Sequence, residues 1–163
     1  MVKLLTNFGE ITLELNAEKA PITTANFLEY VDNGFYDGMI FHRVIDGFMI
    51  QGGGFDATMN QKESAAEIKN EADNGLANEQ YTVAMARTSA PHSASSQFFI
   101  NVGNNEFLNH TAPTSSGWGY CVFGKVTAGM DVIDKIRLVK TTTRKGHQDV
   151  PVENVIIERA TRC

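Results

Sequence analysis

The chain predicts a mainly β fold, a barrel or sandwich carrying two helices, on three observations. Short apolar and alternating runs recur from end to end. Only two stretches carry helical spacing, and strands and helices do not alternate as βαβ units. No repeat or linker interrupts the 163 residues. One domain spanning 1–163 is expected, long enough to bury a core without metal or disulfide staples.

Val2–Thr6 and Glu10–Leu15 flank Asn7-Phe8-Gly9, and Ile11, Leu13 and Leu15 alternate with Thr12 and Glu14, so the first pair reads as a hairpin. Pro21 suits the first turn of a helix, where its missing N–H costs nothing. Phe27, Leu28 and Val31 give that helix a buried stripe, and Asn33-Gly34 stops it. Phe41–Ile45 and Phe48–Gln51 read as strands joined by Asp46-Gly47, a favoured type I′ pair. Asp56–Gln80 is polar and reads as a long surface excursion. Tyr81–Arg87 and Phe98–Val102 return to strand character. Asn109–Gly119, rich in Ser, Thr, Gly and Pro, is a loop. Tyr120–Val126 is a further strand, Gly129–Ile136 a second, shorter helix, and Val155–Ala160 the closing strand.

Composition narrows the function. Hydrophobic residues make up 42% and charged residues 20%, as in ordinary globular proteins. A net charge of -5 argues against general nucleic-acid binding, which needs a basic face. No run approaches the roughly 20 apolar residues of a membrane span, and the opening residues, which read as a strand, lead us to expect no secretory signal. Only Cys121 and Cys163 occur, which suits a reducing compartment, so a cytoplasmic location is expected. Cys121 reads as an inert small hydrophobe. The four histidines show no paired metal spacing, and no metal or other cofactor is expected. Gly52-Gly53-Gly54 lacks the Lys-Ser/Thr of a phosphate loop and reads instead as a bend or bulge.

One permanently charged guanidinium, Arg43, stands close in sequence to Phe41, Phe48 and Met49, where burying it is costly unless its charge is used. His42, alternating with Arg43, is expected to face away from it as a hydrogen-bonded structural histidine. Phe98 and Phe99 are adjacent and point to opposite faces. Gln51 lies two residues past Met49 and shares its face if no bulge intervenes.

The ordered set Phe41-His42-Arg43 through Gly52-Gly53-Gly54-Phe55, Met85-Ala86-Arg87 and Ser96-Gln97-Phe98-Phe99-Ile100 resembles the cyclophilins, the peptidyl-prolyl cis/trans isomerases. Ser116-Gly117-Trp118-Gly119-Tyr120 is similar to their bacterial type. The resemblance implies a closed eight-stranded antiparallel barrel capped by a helix at each end. It implies catalytic roles for Arg43, Gln51 and Phe48, with Gln51 orienting Arg43 or binding a substrate carbonyl. Met49, Phe99, Phe107, Leu108 and Tyr120 would contact the substrate, Gln97 as an amide partner and Ala86 and Arg87 through their backbone. Phe98 would face inward.

The implied partners are proline-containing peptides and unfolded or flexible protein segments, bound by a monomer. Three positions depart from familiar family members. Phe107 replaces the tryptophan of cyclosporin-sensitive members, which implies weak binding of that cyclic peptide. Tyr120 stands where many have histidine, and Arg87 where many have asparagine. Trp118 is expected to be structural. The rival readings are a module that binds proline segments with little turnover, and a general chaperone, which would need a broad apolar surface.

Overall fold

A computed structural model describes all residues from Met1 to Cys163. The strands are β1 (Val2–Thr6), β2 (Gly9–Leu15), β3 (Met39–Ile45), β4 (Met49–Asp56), β5 (Thr82–Met85), β6 (Phe98–Asn101), β7 (Val122–Ala128), β8 (Thr141–Arg144), β9 (His147–Pro151) and β10 (Ile156–Arg162). The helices are α1 (Pro21–Asp32) and α2 (Met130–Arg137), with short 3₁₀ turns at Ala72–Asn74 and Glu106–Leu108. Eight strands close a barrel in the order β1-β10-β3-β4-β6-β5-β7-β2. Neighbours throughout run antiparallel. Neither helix is long and apolar enough to cross a membrane.

Inward side chains of alternate strand positions fill the barrel, and the helices close its ends. Phe27 of α1 lies 5.2 Å from Tyr36, 5.3 Å from Phe98 and 5.2 Å from Phe123, centroid to centroid, and plugs one end with aromatic area. Pro21 occupies the first turn as expected. No side chain of the preceding residues caps the helix. Instead the Glu71 carboxylate accepts from the Thr23 N–H at 2.7 Å and the Thr23 hydroxyl at 2.8 Å, setting negative charge at the positive end of the helix. Val132, Ile133 and Ile136 of α2 close the opposite end, and Arg137 pairs with Asp46 at 2.8 Å, tying α2 to the β3–β4 turn.

The β3–β4 turn is not type I′. Ile45 pairs with Met49, so three residues form the loop, and only Gly47 is left-handed, at φ +78. With Asp46 outside that region and Phe48 N–H bonded to the Ile45 carbonyl, the geometry is that of a type II turn. The I′ signature occurs at Lys145-Gly146 instead, where φ is +47 and +80, in the β8–β9 hairpin that lies outside the barrel.

A bulge in β3 also corrects the placement of His42. Phe41 pairs with Gly52 and Arg43 with Gln51, so β3 spends one residue more than β4. Phe41 and Val44 both face the core, leaving His42 and Arg43 together on the outer surface. His42 therefore does not turn away from Arg43. Nor is it satisfied: its Nδ1 is buried without a partner, and its ring lies 4.5 Å from Phe55, which in turn meets His147 of β9 at 4.9 Å.

Burial above all, with the charges of His147 and Arg43, pushes the His42 pKa down to about 4 from 6.5. The unfolded chain thus takes up a proton between those values that the folded chain refuses, and stability at this site is full above pH 6.5 and lost as pH falls toward 4. His42 accounts for ~3 kcal/mol of that loss. A His42→Leu variant is expected to lose ~3 kcal/mol less than wild type between pH 7 and pH 4 in urea unfolding; parallel pH curves for the two proteins would refute the assignment.

Candidate active site

The outer faces of β4, β5, β6 and β7 carry a small apolar cluster separate from the barrel core. It consists of Met49, Ala84, Phe99, Leu108 and Val122, flanked by Phe48, Ala86 and Tyr120. Alternation produces it: Ile50, Phe98 and Ile100 point into the barrel, so Met49, Gln51 and Phe99 point out. Over this cluster opens a cavity of about 130 Å³ lined by Arg43, Phe48, Met49, Gln51, Ala86, Arg87, Phe99, Leu108 and Tyr120. That is below the ~300–1,000 Å³ of drug-sized sites and suits one small ring. A larger cavity, about 680 Å³, lies elsewhere on the barrel. Glu14, Glu18 and Glu79 line it, and no aromatic ring does.

Arg43 is exposed at the rim, contrary to the expectation of a costly desolvated charge. No ion pair of the chain uses it, although four others form at Lys3–Glu10, Arg137–Asp46, Arg137–Asp134 and Arg162–Asp32. Its donors are therefore open to a ligand. Gln51, its ladder partner, does not bond to it; the Gln51 amide donates to Gln97 Oε1 at 2.9 Å. Gln97 lies outside the small pocket, in an adjoining cavity of about 250 Å³ that shares Gln51, Ala86 and Arg87. The Ala86 N–H is spent on the Gln97 carbonyl at 3.0 Å, whereas the Ala86 carbonyl and the Arg87 N–H take no partner within the chain.

Phe99 meets Tyr120 edge-on at 5.8 Å, making one wall. Phe107 does not line the cavity. It is 74% exposed and stacks on Phe48 at 5.6 Å, at the outer edge. Arg87 adds a side-chain role that the sequence did not imply: its guanidinium lies 4.6 Å over the Tyr120 ring and donates to the carbonyls of Gly119 and Thr88. No charge transfer, nucleophile or general base is assembled here. The arrangement offers an apolar seat, amide groups at its edge and one unpaired cation.

A family model described as cyclophilin type peptidyl-prolyl cis-trans isomerase/CLD matches residues 1–162. The chain belongs to the cyclophilin family. It is 64% identical over 159 residues to the peptidyl-prolyl cis-trans isomerase cyp18 of Streptomyces antibioticus, covering 98% of this chain and 96% of that one. It is 58% identical to peptidyl-prolyl cis-trans isomerase B of Escherichia coli, covering 99% and 98%. Among solved structures it is similar to a cyclophilin type peptidyl-prolyl cis-trans isomerase of Cryptosporidium parvum crystallised in the presence of the dipeptide Ala-Pro. The TM-score is 0.83 at 27% identity, over 98% of this chain and 96% of that one.

Sequence reasoning missed the asparagines that frame this cyclophilin pocket. Asn105 donates to the Phe48 carbonyl and to Asn101, both at 2.8 Å. Asn101 donates to Asn78 at 3.1 Å, and Asn78 donates to the Tyr120 carbonyl at 3.3 Å. Opposite walls are thus joined through buried amides that satisfy one another. Asn101 inside a strand was the available signal, because asparagine is depleted there.

Gly54 offers a direct probe of the amide pair. A Cβ there would stand 2.5 Å from the Gln97 side chain, and Gly54 has no left-handed φ to strain. Gly54→Ala is expected to displace Gln97 and break its bond to Gln51. A hydrogen bond of ~1 kcal/mol corresponds to a roughly fivefold fall in kcat/KM on an X-Pro peptide, with the fold intact by circular dichroism. Unchanged kcat/KM would remove the pair from the site.

Proposed function

We propose that this chain speeds cis/trans rotation about X-Pro bonds, with Arg43 as the group that selects the twisted imide. An X-Pro bond has nearly balanced isomers separated by a barrier of ~20 kcal/mol, because rotation breaks amide resonance. Lowering it needs neither nucleophile nor proton transfer, only an environment that favours the twisted form over both planar ones. Twisting pyramidalises the prolyl nitrogen and restores its lone pair, and a donor fixed nearby binds that state selectively. A guanidinium presents rigid donors and keeps its proton throughout the physiological range.

The observation that carries the reading is the unpaired Arg43 guanidinium at the rim of a ring-sized apolar cavity. In this reading Phe48, Met49, Phe99, Leu108 and Tyr120 grip the ring. Gln51, held by Gln97, and the open Ala86 carbonyl and Arg87 N–H engage the peptide backbone. The dipeptide of the Cryptosporidium relative supports a proline-containing ligand. Exposed X-Pro segments of flexible or folding chains are the substrates. The two free thiols, Cys121 buried and Cys163 exposed, support a cytoplasmic setting. At the edge, Phe107 offers cyclosporin a smaller face than tryptophan and supports weak binding of it.

Arg43→Ala is expected to lower kcat/KM for an X-Pro peptide by about 10²–10³, while peptide affinity changes by less than about threefold. The wild-type rate is expected to stay flat between about pH 6 and 9, since no titrating group takes part. Full activity in the variant, or a bell-shaped profile, would overturn the mechanism; tight peptide binding without turnover by wild type would favour the binding-module reading.

A further inference from the structure

The wall made by Arg87 and Tyr120 is held from behind. The Gly119 carbonyl accepts twice at 3.0 Å, from Arg87 Nε and from Asn70 Nδ2. Asn70 is buried, and its side-chain amide and backbone N–H are engaged. Nδ2 also donates to the Pro91 carbonyl at 3.1 Å, Oδ1 accepts from the Ala72 N–H at 2.8 Å, and the Asn70 N–H donates to His92 Nδ1 at 3.0 Å. Gly119 itself is left-handed at φ +74, with backbone atoms of Leu108, Asn109 and His110 within 2.6 Å of where a Cβ would be. The next residue, Tyr120, donates its N–H to the Leu108 carbonyl at 2.8 Å. Trp118, on the other side of Gly119, sits between the rings of His92 and His110, each 4.9 Å away.

We propose that Asn70 is a positioning residue of the isomerase: through the Gly119 carbonyl it fixes the Arg87 guanidinium against Tyr120 and so sets the width of the proline seat. Without that donor the carbonyl has one partner instead of two, and the Arg87 side chain loses a defined anchor on the cavity wall. Asn70 has a second, purely local job, the two-residue turn closed by the Ala72 N–H. The two jobs use different atoms. The turn needs only an acceptor, Oδ1, whereas the wall needs the donor, Nδ2.

Asn70→Asp separates them, because a carboxylate keeps the acceptor and turns an oxygen toward the carbonyls of Pro91 and Gly119. The inference rests on the isomerase reading, and the experiment is a cycle of Asn70→Asp, Arg87→Ala and the double variant. It is read by kcat, KM, affinity for an Ala-Pro-containing peptide, and Trp118 emission. Asn70→Asp is expected to raise KM and peptide Kd about tenfold with kcat within about threefold, and to shift Trp118 emission. In the Arg87→Ala background it should change KM by less than about twofold. Should Asn70→Asp fail to fold, Asn70→Ser, too short to reach Gly119, enters the same cycle. Wild-type KM in the single variant, or the same tenfold loss in both backgrounds, would overturn the role. Absence of turnover in the wild type would instead sink the isomerase reading itself.

Discussion

Between Phe41 and Val44, both turned into the barrel, β3 carries one residue more than β4 opposes, and everything at the site depends on where that residue sends its neighbours. In an unbroken strand only residues an even number apart share a face, so Phe41 and Val44, three apart, could not. The bulge lets them share it and delivers His42 and Arg43 together to the outside. His42 is then covered by the β8–β9 hairpin with Nδ1 unpartnered, while Arg43 reaches the rim of the apolar pocket. Bulges beside active sites re-aim side chains in this way at some cost in pairing.

The pocket is stable because two apolar assemblies share the same strands without competing. The large core inside the barrel holds the fold, and the outer cluster around Met49 and Phe99 is free to present a cavity. Its walls come from segments far apart in sequence, so they need cross-links. Buried asparagines supply them: Asn105, Asn101 and Asn78 run from Phe48 to Tyr120, and Asn70 reaches Gly119 from the other side. Asn101, Asn78 and Asn70 each donate and accept through the side chain, which makes such a chain specific in geometry and costly to break in part.

Most of the barrel was legible because its strands alternate or carry β-branched and aromatic runs, and both helices announced themselves through Pro21, Asn33-Gly34 and Gly129. The closed eight-stranded count came from family resemblance, since alternation fixes faces but not neighbours. The β8–β9 hairpin stayed hidden because Thr141–Arg144 is exposed on nearly every residue and has no apolar period to read. The turn at Asp46-Gly47 misled because a dipeptide preference does not count loop residues, and Phe48 joins the loop. At the site, Met49, Phe99, Leu108 and Tyr120 line one cavity, whereas Phe107 stays at the edge and Gln97 in the adjoining cavity. His42 was misplaced from sequence because the bulge that turns it falls between Phe41 and Arg43, where no glycine or proline marks it. The asparagine chain was invisible for another reason: long-range amide pairs have no fixed spacing.

In the proposed mechanism a cation left unpaired by the fold is spent on the twisted imide. A crystal structure with an Ala-Pro-containing peptide would show whether it is. The prolyl ring is expected against Phe99, Met49 and Leu108, with an Arg43 donor about 3 Å from the prolyl nitrogen or its carbonyl. A ring in that seat with Arg43 turned to solvent, or a peptide bound in another cavity, would rule that role out.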